Sequence, residues 1–283
     1  MRQVVSQGSI TALIVQVILG IVIPLSLLFY CRRTLQISYR AVGVGILIYV
    51  VFSQLLEQVL HAYLFSGNPV TAVWLNNPWI AAVYGGLAAG LFETAGRWFG
   101  FSLLLRKRQE RKDGIAAGIG HGGIEALLIG AGMGLLGIVY AVMINSGTFE
   151  QPFGAEATAE QHALFQGIKD RMIHTSQSEF WLGTFERIPA VSIQIALSLT
   201  VLYGIRTRRA VYLLYAVLVH ALIDFFAGLY QAKMIPLWTV EGIVWGSGLG
   251  AFFVIVKSKA WFAALASGPA KEEKVPPDIK LFH

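Results

Sequence analysis

The chain has 283 residues, of which 55% are hydrophobic and 13% charged, and its formal net charge is +6. Soluble domains carry about 25% charged residues, so a water-soluble globule and a disordered chain are both excluded, which leaves a polytopic membrane protein. The single cysteine, Cys31, excludes a disulfide framework and any multi-cysteine metal centre.

A helix needs about 20 apolar residues to cross the hydrocarbon core. Seven stretches reach that length: 10–30, 41–66, 79–105, 114–146, 180–205, 209–231 and 236–256. The first is too long for a secretory signal and lacks a small-residue cleavage site. The sequence therefore predicts an all-α polytopic membrane bundle over 1–267, followed by a Pro- and charge-rich disordered tail, 268–283. Between the fourth and fifth spans, 147–178 is polar. Leu164, Phe165, Ile168 and Met172 recur there at helical spacing, as an interfacial helix requires; a solvated loop with one helical turn is the alternative. A segment so placed could cover the outer mouth of the bundle.

Sixteen of the 22 Lys and Arg residues fall between spans one and two, three and four, five and six, and after span seven. Four lie on the opposite side, and Arg97 and Arg187 lie inside spans. The positive-inside rule then puts the N-terminus outside and the C-terminus in the cytoplasm. Charge spread over four juxtamembrane segments does not suit nucleic acid, so no nucleic-acid partner is expected.

Glycines recur four apart, at Gly86/Gly90, Gly96/Gly100, Gly114/Gly118/Gly122, Gly130/Gly134 and Gly246/Gly250. Small residues at this spacing let membrane helices approach closely.

Ionisable residues within spans cost at least about 2.5–3.5 kcal/mol each for a central Asp, Lys or Arg on insertion scales. This chain holds Glu57, His61, Glu93, Arg97, His121, Glu125, Glu186, Arg187, His220, Asp224 and Glu241 there. Glu57/His61, Glu93/Arg97, His121/Glu125 and His220/Asp224 are each i, i+4, so each pair shares a helix face. At about 1.5 Å per residue, Glu93, Glu125 and His220 lie roughly 16–18 Å from the cytoplasmic ends, and His121 about 10 Å. Asp224 lies one turn further out, while Glu57, His61 and Glu241 fall toward the outer half and read as structural or hydrated. Glu186 and Arg187 are adjacent and should point to different faces. A lone intramembrane histidine is ordinarily a satisfied core residue; the coincidence of Glu93, His121, Glu125, His220 and Asp224 at comparable depth points instead to one polar chamber.

Four motifs carry a resemblance. They are Phe92-Glu93-Thr94-Ala95-Gly96-Arg97, His121-Gly122-Gly123-Ile124-Glu125-Ala126, Phe185-Glu186-Arg187-Ile188-Pro189-Ala190 and His220-Ala221-Leu222-Ile223-Asp224. Together they resemble the YhfC family of bacterial intramembrane proteases, distant relatives of the PrsW proteases and of the CAAX- and bacteriocin-processing group. The resemblance implies an all-helical protease of the bacterial plasma membrane with glutamate-dependent chemistry. Glu93 and Arg97 match the second Glu and the Arg of the group's first motif, with Phe92 in place of the first Glu. Ala117 stands where the group's second motif has Phe, and His220 and Asp224 match its last motif. Glu93 is the favoured catalytic carboxylate, with Glu125 and Glu186 as alternatives.

Amide hydrolysis needs an activated water and a partner for the developing oxyanion. On this reading Glu93 takes a proton from a water held beside His121, Arg97 holds the local geometry, His220 donates to the oxyanion and Asp224 orients His220. No cofactor is needed. The alternative is zinc on His121, His220 and Glu93, although the chain lacks His-Glu-x-x-His. Substrates are expected to be membrane-spanning proteins or lipidated peptides. A proton-coupled transporter and a non-catalytic scaffold are the competing functions; the transporter lacks the internal repeats that class often shows.

Overall fold

The computed structural model describes residues 4–151 and 158–267. The expected tail lies outside the described residues. The helices are α1 (Gln7–Thr34), α2 (Tyr39–Gly67), the short α3 (Pro69–Leu75), α4 (78–104), α5 (Arg111–Ser146), α6 (Ala159–His174), α7 (Gln177–Thr207), α8 (Val211–Gln231) and α9 (Leu237–Ser267). No strand occurs among the described residues. Six of these helices are long and apolar enough to cross a membrane. The helix at 78–104 has the length but falls short in hydropathy, because glycines and the charged Glu93 and Arg97 dilute its apolar run. The polar segment after α5 does contain a helix, α6, opened by a reciprocal cap between Thr158 and Gln161. The short α3 was not foreseen in the sequence.

The surface follows the solvent. Leu25, Phe29, Leu55, Val59, Leu249 and Phe252 are all more than half exposed. Apolar faces of this extent occur where lipid covers them. The interior is built around the first half of α5, where every residue from Asp113 to Gly123 is buried. Gly114, Gly118 and Gly122 face α7: a Cβ on Gly118 would stand 2.5 Å from Ile195 Cα. Gly120 faces α2, where a Cβ would meet Val42 O at 2.0 Å. Gly86 and Gly90 let α4 lie against the backbone of α8 at Ala221 and Val217, and that pair of helices packs most extensively. These glycines behave as the four-residue spacing suggests. Gly246 and Gly250 do not, since nothing lies within 4 Å of the Cβ either would carry.

Helix α2 is not uniformly α-helical. It changes to π geometry over Tyr49–Glu57 and again over Tyr63–Gly67. An α turn takes 3.6 residues and a π turn, with its i→i+5 bonds, more than four. Alternating the two keeps a four-residue repeat on one side, and Tyr49, Ser53, Glu57 and His61 form such a repeat. The first three are buried.

Helix α7 breaks at Glu186, which ends one segment and opens the next. Pro189, three residues on, has no N–H to return to the carbonyl of Phe185.

Gly120→Val should lower the unfolding midpoint in detergent, by roughly 1–3 kcal/mol as overpacking does, whereas Gly250→Val should leave it unchanged. Equal midpoints for the two variants would mean that α2 and α5 are not in backbone contact.

Candidate active site

Four helices deliver the candidate residues to one point, and a fifth flanks it. α4 brings Glu93 and Arg97, α5 brings His121, α8 brings His220, and α7 brings Gln194 and Ser198. Ser53 of α2 lies alongside. One oxygen, Glu93 Oε2, is the hub. It lies 3.0 Å from Arg97 Nη2, 3.0 Å from His121 Nε2 and 3.2 Å from His220 Nδ1. Ser53 Oγ donates to the other oxygen at 3.4 Å. All of these side chains are buried, and Arg97 has no exposed surface.

Two further networks hold the hub in place. Arg97 donates from Nη2 to Gln194 Oε1 and from Nε to Ser198 Oγ, the latter at 3.3 Å. Gln194 Nε2 then donates to Glu125 Oε2 at 2.6 Å. On the opposite side, His220 Nε2 lies 3.3 Å from Asp224 Oδ2. The Tyr49 ring meets the His121 ring edge-on, with centroids 5.0 Å apart, and Gln54 Nε2 donates to the Tyr49 hydroxyl. Three buried nitrogens keep no hydrogen-bond partner: Arg97 Nη1, His121 Nδ1 and His220 Nδ1, the last facing Glu93 as an ion pair only. Unpaired buried polar atoms are costly unless something else meets them.

The structure thus brings together Glu93, Arg97, His121, His220 and Asp224. Glu125 is joined to them through Gln194 rather than directly. Glu186 lies apart, at the α7 break. The expectation that Glu186 and Arg187 point to different faces differs from the structure, where Arg187 Nη2 and Glu186 Oε2 are 3.4 Å apart. Glu186 keeps helical dihedrals, and the two long side chains bend toward each other across the helix surface. Glu57 pairs with His61 at 3.3 Å, as their spacing suggests.

Sequence reasoning missed Gln194, Ser198, Ser53 and Tyr49. A signal was present: Gln194 and Ser198 are i, i+4 polar residues within the apolar run Ile193–Leu199 of α7. Neutral polar residues in such a run are candidates for interhelical bonds.

The chain matches the family described as YhfC intramembrane metalloprotease over residues 12–244. It is also 38% identical over 259 residues to a Bacillus subtilis (strain 168) protein described as the uncharacterized membrane protein YhfC, covering 91% of this chain and 99% of that one. The chain belongs to the YhfC family. It is therefore a multi-pass membrane protein of an intramembrane protease family. No solved structure matches it.

The YhfC description raises the question of a metal. Two imidazoles and a carboxylate are a known zinc set, and tetrahedral ligands at about 2.0–2.1 Å lie roughly 3.3 Å apart. The 3.0 and 3.2 Å separations from Glu93 Oε2 are near that edge length. His220 also has the carboxylate partner on its other ring nitrogen that metal-bound histidines favour. The donors of this site fit zinc in type. They do not form a ready cage, since no group of three or more His, Cys, Asp or Glu among the described residues is arranged to hold an ion. The Arg97 guanidinium occupies the same carboxylate oxygen.

Removing Arg97 tests the hub. Arg97→Met leaves the Glu93 carboxylate buried without its permanent cation, and should cost about 3–5 kcal/mol, read as a lower unfolding midpoint. Adding Glu93→Gln should restore much of the loss. An additive double variant would show that the two side chains do not interact.

Proposed function

We propose that this protein hydrolyses peptide bonds of membrane-embedded or membrane-anchored substrates at the Glu93, His121 and His220 centre. The observation that carries the reading is the convergence of three nitrogens from three helices on one buried carboxylate oxygen. A scaffold needs each buried charge neutralised once. Here Glu93 already has Arg97, and the two imidazoles are surplus to that need.

The favoured chemistry uses Glu93 as general base. A water lodged beside Glu93 and His121 attacks the scissile carbonyl carbon as Glu93 takes its proton. The carbonyl oxygen becomes an oxyanion, which His220 meets with an N–H while Asp224 holds the ring from the far side. The tetrahedral intermediate then collapses. The C–N bond breaks, the proton passes from Glu93 to the leaving nitrogen, and an acid and an amine are released. Arg97, tied to Gln194 and Ser198, fixes the carboxylate throughout. Its guanidinium already occupies Oε2, the oxygen that an ion would also need.

A second reading is favoured by the His220–Asp224 contact and by the family description. In it His121, His220 and Glu93 hold zinc, which would supply a water acidic enough to attack at neutral pH. Asp224 would then keep His220 oriented toward the ion, and Arg97 would hold the Glu93 side chain.

A substrate helix has its carbonyls hydrogen-bonded, so it must unwind before attack. Helix α6 roofs a cavity of about 910 Å³ between α1, α5, α7 and α8 at the end of the bundle that the charge pattern assigns to the outside. Lys169 ties α6 to Glu150 at 2.8 Å, and that hydrogen bond and charge hold the Glu150 carboxylate below its ordinary pKa. We assign this largely apolar cavity, lined by Leu136, Ile168 and Phe180 among others, to an apolar stretch of the substrate chain.

Glu93→Gln should lower cleavage of a transmembrane test peptide in proteoliposomes by about 10²–10⁴-fold, the range of general-base catalysis, measured per folded protein because loss of the carboxylate leaves Arg97 buried without its counter-ion and lowers the unfolding midpoint as well. Cleavage at the wild-type rate would refute the assignment. The two water-activation readings part under chelation. The glutamate reading expects no stoichiometric metal in the purified protein and full activity after chelator treatment; the zinc reading expects one ion per chain and loss of activity that zinc restores.

A further inference from the structure

We infer that one side of α2 lines a water-filled crevice leading from the outer end of the bundle to Glu93. The inference rests on the hydrolytic reading for its purpose, since hydrolysis consumes water that the bilayer does not supply. Its test needs no cleavage.

The residues of α2 divide sharply around its axis. Ser53, Gln54, Glu57, Gln58 and His61 form one polar stripe, while Leu55, Leu56 and Val59 form the opposite face. Leu55 and Val59 are among the most exposed apolar residues, as lipid-facing side chains should be. Gln54 and Gln58 are exposed as well. Gln54 and Gln58 each donate once within α2, to the Tyr49 hydroxyl and the Ser53 carbonyl, but their amide carbonyls would lose their hydrogen bonds in hydrocarbon, so an exposed polar stripe beside an exposed apolar one marks two different solvents.

The stripe is continuous with the site. At its inner end Ser53 Oγ donates to Glu93 Oε1. One turn outward, Glu57 is buried and faces His61 Nε2 at 3.3 Å. His61 Nδ1 and the Tyr84 hydroxyl of α4 are 2.7 Å apart, and His61 is about a quarter exposed, at 24%. The π segments keep Ser53, Glu57 and His61 on the side facing α4 over this whole length. Beyond Glu57, α2 packs mainly on itself and on α3, with His61 and Phe65 touching Tyr84. The outer half of α2 therefore stands off the bundle, which leaves room for water along the stripe. The mechanism does not use Glu57, His61, Gln54 or Gln58; a wet lining accounts for all four.

Thiol chemistry reads out the distinction, because only the hydrated thiolate reacts. In a Cys31→Ser background, Gln54→Cys, Gln58→Cys, Leu55→Cys and Val59→Cys are each reconstituted in vesicles. They are then treated with a charged, membrane-impermeant methanethiosulfonate. The two glutamine positions should react at least about tenfold faster than the two apolar ones. Ser53→Cys, too enclosed for that reagent, is titrated with silver ion and should react while a buried apolar control, Ile48→Cys, does not. Glutamine positions as inert as Leu55→Cys would mean that the stripe faces lipid or protein. Reaction at Gln54→Cys and Gln58→Cys without reaction at Ser53→Cys would mean that the crevice ends short of Glu93. Either result overturns the inference and leaves the cleavage reading to its own tests.

Discussion

A carboxylate far inside a bilayer bundle is tolerable only when it is neutralised and hydrogen-bonded, and Glu93 imposes that requirement on the rest of this protein. Its hub oxygen takes Arg97 from its own helix and imidazoles from two others. Arg97 in turn has to be satisfied, and α7 supplies Gln194 and Ser198 to do so. Gln194 then has a second amide atom to place, and Glu125 receives it. The polar interior is a chain of such obligations. Each member is explained by the one before it, and the chain fixes how α4, α5, α7 and α8 are rotated relative to one another.

The glycines make those rotations possible. Side chains as short as Glu93 and His121 can meet only if their helices lie close, and α5 is stripped of bulk on the faces it turns to α7 and α2. The same holds where α4 meets α8, which brings His220 against Glu93. Close packing is thus part of how the site is assembled, beyond its contribution to stability.

Much of this was legible in the sequence because each strong signal had a single physical cause. Apolar length matched the long helices to within a few residues in most cases, although six of the seven qualify as candidate spans; α9 extends further than its apolar run, carried on by helix-forming residues after Lys257. The i, i+4 pairs Glu93/Arg97 and His220/Asp224 were readable because one regular turn sets their spacing. What remained hidden depended on side-chain reach, on irregular backbone or on neutral groups. Glu186 and Arg187 pair because two long side chains bend toward each other, which helical spacing alone does not announce. Gln194 carries no charge to draw attention, although it links two of the ionisable residues, Arg97 and Glu125. The π stretches of α2 have no compositional mark.

Those stretches make α2 answerable to residue count more than to residue type. Deleting one position between Tyr49 and Glu57 would rotate everything beyond it by about 100°, swinging the carboxylate and imidazole away from α4 and turning Gln58 and Ala62 into their place. Conservative exchanges along the same segment leave that phase untouched. The spacing of the segment is accordingly the property that inheritance has to preserve, and insertions or deletions there should be far rarer than substitutions.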